Sequence, residues 1–189
     1  ERIISGMVGK ELKNKYPHRK SQIGEVLLQA EKISDGKVFE DISFTLHQGE
    51  ILGIVGLEGC GKNEVIRTLF GERKLKSGSI QVKGKPYPNT ICGAMEADIG
   101  FLPAERKVEG LFLKQDLAWN MSIASLEKLC RYRTIRRTQE NQTAGDFIKR
   151  LNIKCSGSAQ RIASLSGGNQ QKVMLSRWIL ADAQVLLLE

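Results

Sequence analysis

Cysteine is scarce in this chain of 189 residues and poorly spaced for a structural role. Cys60, Cys92, Cys130 and Cys155 lie far apart and never form C-x-x-C. That spacing argues against a disulfide framework and against a thiolate zinc site, and it fits a reducing cytoplasmic compartment. Proline is equally thin, at 4 residues, as in an ordered soluble protein. No apolar run approaches the length of a membrane span. The opening stretch ERIISGMVGKELKNKYPHRK lacks the layout of a signal peptide. There is no internal repeat and no low-complexity tract. What is present suits one globular domain with a sizeable core: 41% hydrophobic residues and 19 glycines. The net charge of +8 suits nucleic acid, an anionic membrane surface, a phosphate-bearing ligand, or simply a well-solvated surface.

The chain begins without Met, inside what reads as a helix, and stops at the apolar stretch VLLLE, so it reads as a piece of something longer. Residues 1–20 read as a short helix and polar exit broken at Tyr16-Pro17, a linker from a preceding domain, and residues 21–189 read as a partial domain. Glu25 to Ile33 alternates as an edge strand does. DISFTLHQGEILGIVG gives a strand, a turn at His47-Gln48-Gly49 and a second strand, Ile51 to Val55, whose apolarity predicts burial. Asn63 to Phe70 reads as a helix stopped by Gly71. Gly78 to Tyr87 reads as a strand with a turn, and Asp98 to Lys107 as a strand running into a charged loop. From about residue 113 to 160 the pattern is helical, with Ala144, Phe147, Ile148 and Leu151 on one face. Asn169 to Ala181 reads as a further helix and Gln184 to Glu189 as a final strand. The fold class is therefore α/β.

Two motifs carry chemistry. GLEGCGKN spans Gly56, Leu57, Glu58, Gly59, Cys60, Gly61, Lys62 and Asn63, and nearly completes the phosphate-loop pattern G-x-x-x-x-G-K-[ST]. Its glycines let consecutive backbone N–H groups converge on an anion, the following helix adds its positive end, and Lys62 reaches toward β- and γ-phosphates. A hydroxyl at position 63 would ligate Mg²⁺; Asn63 offers an amide oxygen on a longer arm, to an ion that tolerates little departure from octahedral geometry. Glu64 brings a negative charge near the phosphates. At ~4–6 Å and an effective dielectric of ~20 that repulsion is about 3–4 kcal/mol before screening. Glu58 adds to it. The loop thus predicts weakened nucleotide affinity and a poorly held metal. The second motif, LSGGNQQK from Leu165 to Lys172, sets Ser166, Gly167 and Gly168 at a helix start, a second anion-binding end.

Together these motifs make the chain resemble the ATP-binding cassette (ABC) family over nearly its whole length. LSGGNQQK looks like the family's signature motif, VLLLE like the strand of its second acidic motif, and GEILGIVGLEGCGKNEVIRTLFG like its phosphate-loop segment. More narrowly, MVGKELKNKYPHR, DISFTLHQGEILGIVGLEG, FLPAERKVEGLF and LSGGNQQKVMLSRW resemble the second cassette of the double-cassette ATPases that energise monosaccharide importers of the ribose, galactose or xylose type. The resemblance implies a phosphate-loop NTPase-like core with an antiparallel β edge and a helical subdomain over about 113–160, incomplete at its C-terminus, that binds ATP and Mg²⁺. It implies that Ser166, Gly167, Gly168 and Gln170 serve nucleotide held mainly by a partner cassette, and that Asn63 and Glu189 stand at the metal. It also implies permease subunits as partners, a periplasmic sugar-binding protein indirectly, no nucleic acid, and a peripheral position on the cytoplasmic face of the membrane. Several positions depart from the family pattern: Asn63 and Glu64 replace the hydroxyl pair, Ala104 stands where Gln is usual, and Glu189 occupies an Asp place. The catalytic Glu and later His expected beyond Glu189 are absent from the sequence, so no residue is assigned as catalytic. Phe39, near the loop, reads as core rather than as an adenine-stacking aromatic.

Three functions remain compatible with this reading. The chain is part of an ATP-driven importer, a regulatory nucleotide-binding module, or a soluble ATPase of the same superfamily acting on nucleic acid or the ribosome. The basic cluster RYRTIRR, Arg131 to Arg137, invites the last, but only Tyr132 accompanies it as a stacking aromatic, and it reads as a solvated helical face.

Overall fold

The computed structural model describes residues 22–131 and 134–189. The expected linker over 1–20 lies outside them. A four-stranded antiparallel sheet comes first, in the order β2-β1-β3-β4, from β1 (Val26–Ser34), β2 (Ile42–His47), β3 (Ser77–Val82) and β4 (Lys85–Pro86). Leu28 and Ala30 alternate inward along β1, as a pleated strand requires. Pairing shifts after Ala30, where Lys32 has φ 45°, and the extra residue turns Ile33 into the core on the opposite parity. β1 is not the edge strand its sequence suggests: β2 pairs along one side and β3 along the other. Alternation marks a strand with one wet face and does not distinguish an edge from a centre.

A larger departure concerns Ile51 to Val55. This segment forms no strand, and Ile51 is 91% exposed, Val55 94% and Leu57 85%. An apolar strand is buried only by neighbours on its flanks. The parallel pair among the described residues is β5 (Ile99–Leu102) with β8 (Val185–Leu188), registered from Ile99–Val185 to Leu102–Leu188, and neither strand pairs with 51–55.

After the phosphate-type loop, α1 (Lys62–Leu69) buries Val65 and Leu69 in the same core as Leu28, Ile80, Ile99 and Val185. Phe70 follows, its ring 5.1 Å from Phe101 of β5 and 5.9 Å, edge-on, from Trp178. A short helix, α2 (Ile91–Glu96), is capped by Thr90, whose hydroxyl accepts from the Gly93 N–H. A π-helical turn at Arg106–Gly110 leads from β5 to the helical part.

That part contains α3 (Leu117–Ser122), α4 (Leu126–Leu129), α5 (Arg137–Arg150) and α6 (Gly167–Leu180). A second core joins Leu117, Met121, Ala144, Ile162, Val173 and Met174. It is not helical throughout, as the sequence suggests: β6 (Cys130–Arg131) and β7 (Thr134–Ile135) pair as a small hairpin. The basic cluster is therefore no helical face. Tyr132 and Arg133 lie outside the described residues, and Arg137 donates to the buried Glu140, which also accepts from Ser122 Oγ. α6 ties the two cores. Trp178 Nε1 donates to Phe101 O at 2.7 Å, and the ring lies so close over Gly100 that a β-carbon there would fall 2.8 Å from it. Arg177 donates to Asn120 O, and burial lowers its guanidinium to about 10.

Candidate nucleotide site

The loop from Gly56 to Cys60 is exposed, and the chain enters α1 through Gly59 and Gly61 at φ 78° and 94°, a backbone that side chains resist. No side chain caps α1, so the N–H groups of its first turn lack an acceptor in the helix. Asn63 is exposed, while Lys62 and Glu64 are half-buried. Gly61 packs on Val38 and Phe39. Phe39 is buried, as its core reading requires. The turn before it is held by Asp35, whose carboxylate accepts from the N–H groups of Val38, Lys37 and Phe39 and from Arg73 Nη2. Those bonds, that of Val38 foremost, hold Asp35 well below the usual carboxylate range.

The signature-like helix α6 starts the same way. Ser166 is the N-cap residue by backbone, but its hydroxyl caps nothing; it accepts from Asn169 Nδ2 at 2.9 Å and stays exposed. Gly168 has open space before it. Gly167 is backed by Arg106: a β-carbon there would fall 2.7 Å from Nη2. Gln170 departs from its expected role. It is 2% exposed, donates to Ile162 O and accepts from Arg106 Nε, so it braces the helix end and does not face a ligand.

Glu189 follows β8, its N–H bonded to Leu102 O at the end of β5. Its carboxylate is engaged by Arg67 of α1 through Nε at 3.0 Å and Nη2 at 2.7 Å, and it accepts from the Ala104 N–H at 3.3 Å. Arg67 also donates to Glu72 and Glu109. These hydrogen bonds, Glu189's first, raise the guanidinium above its ordinary value. An open cleft of about 540 Å³ lies between Ala104, Arg106, Gly168, Lys172 and Glu189. The structure thus brings the signature-like helix start and Glu189 to one cleft, and joins Glu189 to the phosphate-loop helix through Arg67. It does not bring Asn63 into that cleft's lining. A Mg²⁺ ion, which needs open oxygen ligands at about 2.0–2.1 Å, does not fit Glu189 as it stands. Among the described residues no group of three or more His, Cys, Asp or Glu side chains could hold a metal. Arg67, Arg106 and Glu109 are absent from the sequence reading. Their residue types gave no signal, and only the place of Arg67 five residues after the loop lysine, in the same short helix, could have pointed to it.

A glycine-lined loop opening one helix, a serine-glycine start to a second, and an acidic strand end beside both define a phosphate-loop α/β domain. The sequence profile described as ABC transporter matches residues 39–189, and the chain belongs to that family. Members of the family bind ATP and use Mg²⁺. The chain is 39% identical over 194 residues to the ribose import ATP-binding protein RbsA of Lactococcus lactis subsp. cremoris, 36% over 191 residues to that of Clostridium perfringens, and 35% over 190 residues to that of Bacillus cereus. In each case all of the chain is covered, but it spans only 38% of the relative's length. The fold is similar to cbiO1 from Clostridium perfringens, part of the ABC transporter complex cbiONQ, with TM-score 0.67 and 20% identity over 87% of this chain and 65% of that one. It is also similar to a putative metal-chelate type ABC transporter in an inward-facing conformation, with TM-score 0.64, 22% identity, and 87% and 59% covered.

Proposed function

We propose that this chain is part of the ATP-binding component of a sugar importer of the ribose type, and that the start of α6 completes an ATP site seated mainly on another cassette. The observation that carries the reading is the end of α6 itself. Ser166 and Gly168 are exposed, the hydroxyl of Ser166 is not consumed as a cap, and the helix is long enough to present its positive end to an anion. Ser166, Gly167 and Gly168 bind the γ-phosphate; Gln170 and Arg106 position them. The chain's own loop, from Gly56 to Glu64, binds nucleotide more weakly and does not turn it over. Closure of the cassette pair is passed to permease subunits, and a periplasmic binding protein delivers the sugar. The chain works at the cytoplasmic face of the membrane; among the described residues no helix is long and apolar enough to cross it.

The test is sugar-stimulated ATP hydrolysis by the intact importer in proteoliposomes. Ser166→Arg fills the anion site with a bulky side chain and is expected to lower the stimulated rate at least about a hundredfold, nearly 3 kcal/mol of barrier. Ser166→Ala, which keeps the backbone donors, is expected to lose far less. An unchanged rate in Ser166→Arg overturns the shared-site reading. The 189-residue chain alone is expected to show no ATPase activity above background.

A further inference from the structure

Three carboxylates converge on Arg67. Its Nε donates to Glu189 Oε1, Nη1 to both oxygens of Glu72, and Nη2 to Glu109 Oε2 and Glu189 Oε2. A guanidinium has five N–H donors in a fixed fork. Here each of its three nitrogens has a carboxylate acceptor, and the Phe101 ring lies beneath at 5.7 Å. The pair with Glu189 is the most enclosed, for the Glu189 side chain is 3% exposed against 40% for Glu72 and for Glu109. A carboxylate offers about four acceptor positions. On Glu189 two are taken by Arg67 and one by the Ala104 N–H. One position on Glu189 remains, but the side chain is almost wholly covered and its charge is already paired, so a divalent ion could be held there only by displacing the guanidinium.

We propose that Arg67 is the resident counter-cation of Glu189, so that the acidic strand end is closed to divalent ions. The helix that starts at the phosphate loop thereby supplies the positive charge that a metal would supply. One consequence rests on the proposed function: nucleotide on this chain's own loop is held without a metal bridge to Glu189, and any Mg²⁺ there is carried by the phosphates.

The probe is Mn²⁺ alone, titrated into the full chain labelled with ¹⁵N, with paramagnetic broadening of the Ala104 amide as the readout. The wild-type amide is expected to keep its intensity up to about 1 mM Mn²⁺, and Glu189→Gln to respond identically. Arg67→Gln is expected to create a site at least about tenfold tighter than anything in the wild type, and adding Glu189→Gln to remove it. Broadening of Ala104 at low Mn²⁺ in the wild type that disappears in Glu189→Gln overturns the proposal. So does a folded Arg67→Gln chain that gains no Mn²⁺ site. If Arg67→Gln does not fold, the wild type and Glu189→Gln decide the question between them. ATP is absent from every arm, so an unchanged rate in Ser166→Arg overturns the proposed function and leaves this result standing.

Discussion

Glu64 stands in the first turn of α1, where a helix favours an acidic residue and a phosphate does not. The two preferences oppose each other on one side chain. Glu64→Gln keeps the shape and removes the charge. Because the residue is only half-buried, solvent screening cuts the bare repulsion to about 1 kcal/mol, and ATP is expected to bind the isolated chain about three- to tenfold more tightly. Calorimetry at two salt concentrations checks it, since the gain should shrink as ionic strength rises. Asp35 gives a second expectation at this scale, one that bears on pH. Its folded-state affinity for protons is lowered, first by the Val38 N–H and, despite opposing desolvation, by Arg73 and the N–H groups of Lys37 and Phe39. A depressed carboxylate contributes stability that is fully present above its unfolded value, about 3.9, and is lost as pH falls toward the folded one. Asp35→Asn should therefore melt at a lower temperature than the wild type at pH 7, with the gap closing on acidification below about pH 4. A gap independent of pH would mean that the charge of Asp35 does not hold the turn beside the loop.

At the scale of elements, Gly100 has the clearest steric role. The Trp178 ring lies over it, fixed by its bond to Phe101 O, and cannot swing aside to admit a methyl group. Gly100→Ala should destabilise the chain by about 1–3 kcal/mol, read as a lower urea midpoint at unchanged slope. The elements also show what a sequence can reveal. α1 and α6 were legible to within a few residues because glycine loops, apolar spacing and, after α1, Gly71 are local features. The phosphate loop and the serine-glycine start were legible for the same reason. The centrality of β1 was not, because pairing on its second side comes from β3, some fifty residues later. The β6–β7 hairpin was missed because two-residue strands carry no period. The tie between Arg67 and Glu189 joins positions 122 apart in sequence, and no pattern of residue types connects them. The burial expected of Ile51 to Val55 failed because apolarity predicts what a strand needs and does not supply the neighbours.

At the scale of the whole molecule, that last segment competes with the charge. Ile51, Val55 and Leu57 are exposed, and Leu188 at the end of β8 is 62% exposed, so apolar side chains are open to a second copy. Against this the chain carries +8, whose self-repulsion keeps copies apart while it is unscreened. The balance should therefore turn on salt. Between about 0.1 M and about 1 M the screening length falls from about 10 Å to about 3 Å while apolar attraction persists, so sedimentation velocity should show a monomer giving way to larger species. Replacing Ile51 and Val55 together by Lys should keep the chain monomeric at both concentrations. It should also leave the melting temperature nearly unchanged, since exposed substitutions typically shift stability by no more than about 0.5 kcal/mol. If the double variant instead loses several kcal/mol, as a core substitution would, the segment is buried in solution and the apolar run is a strand after all.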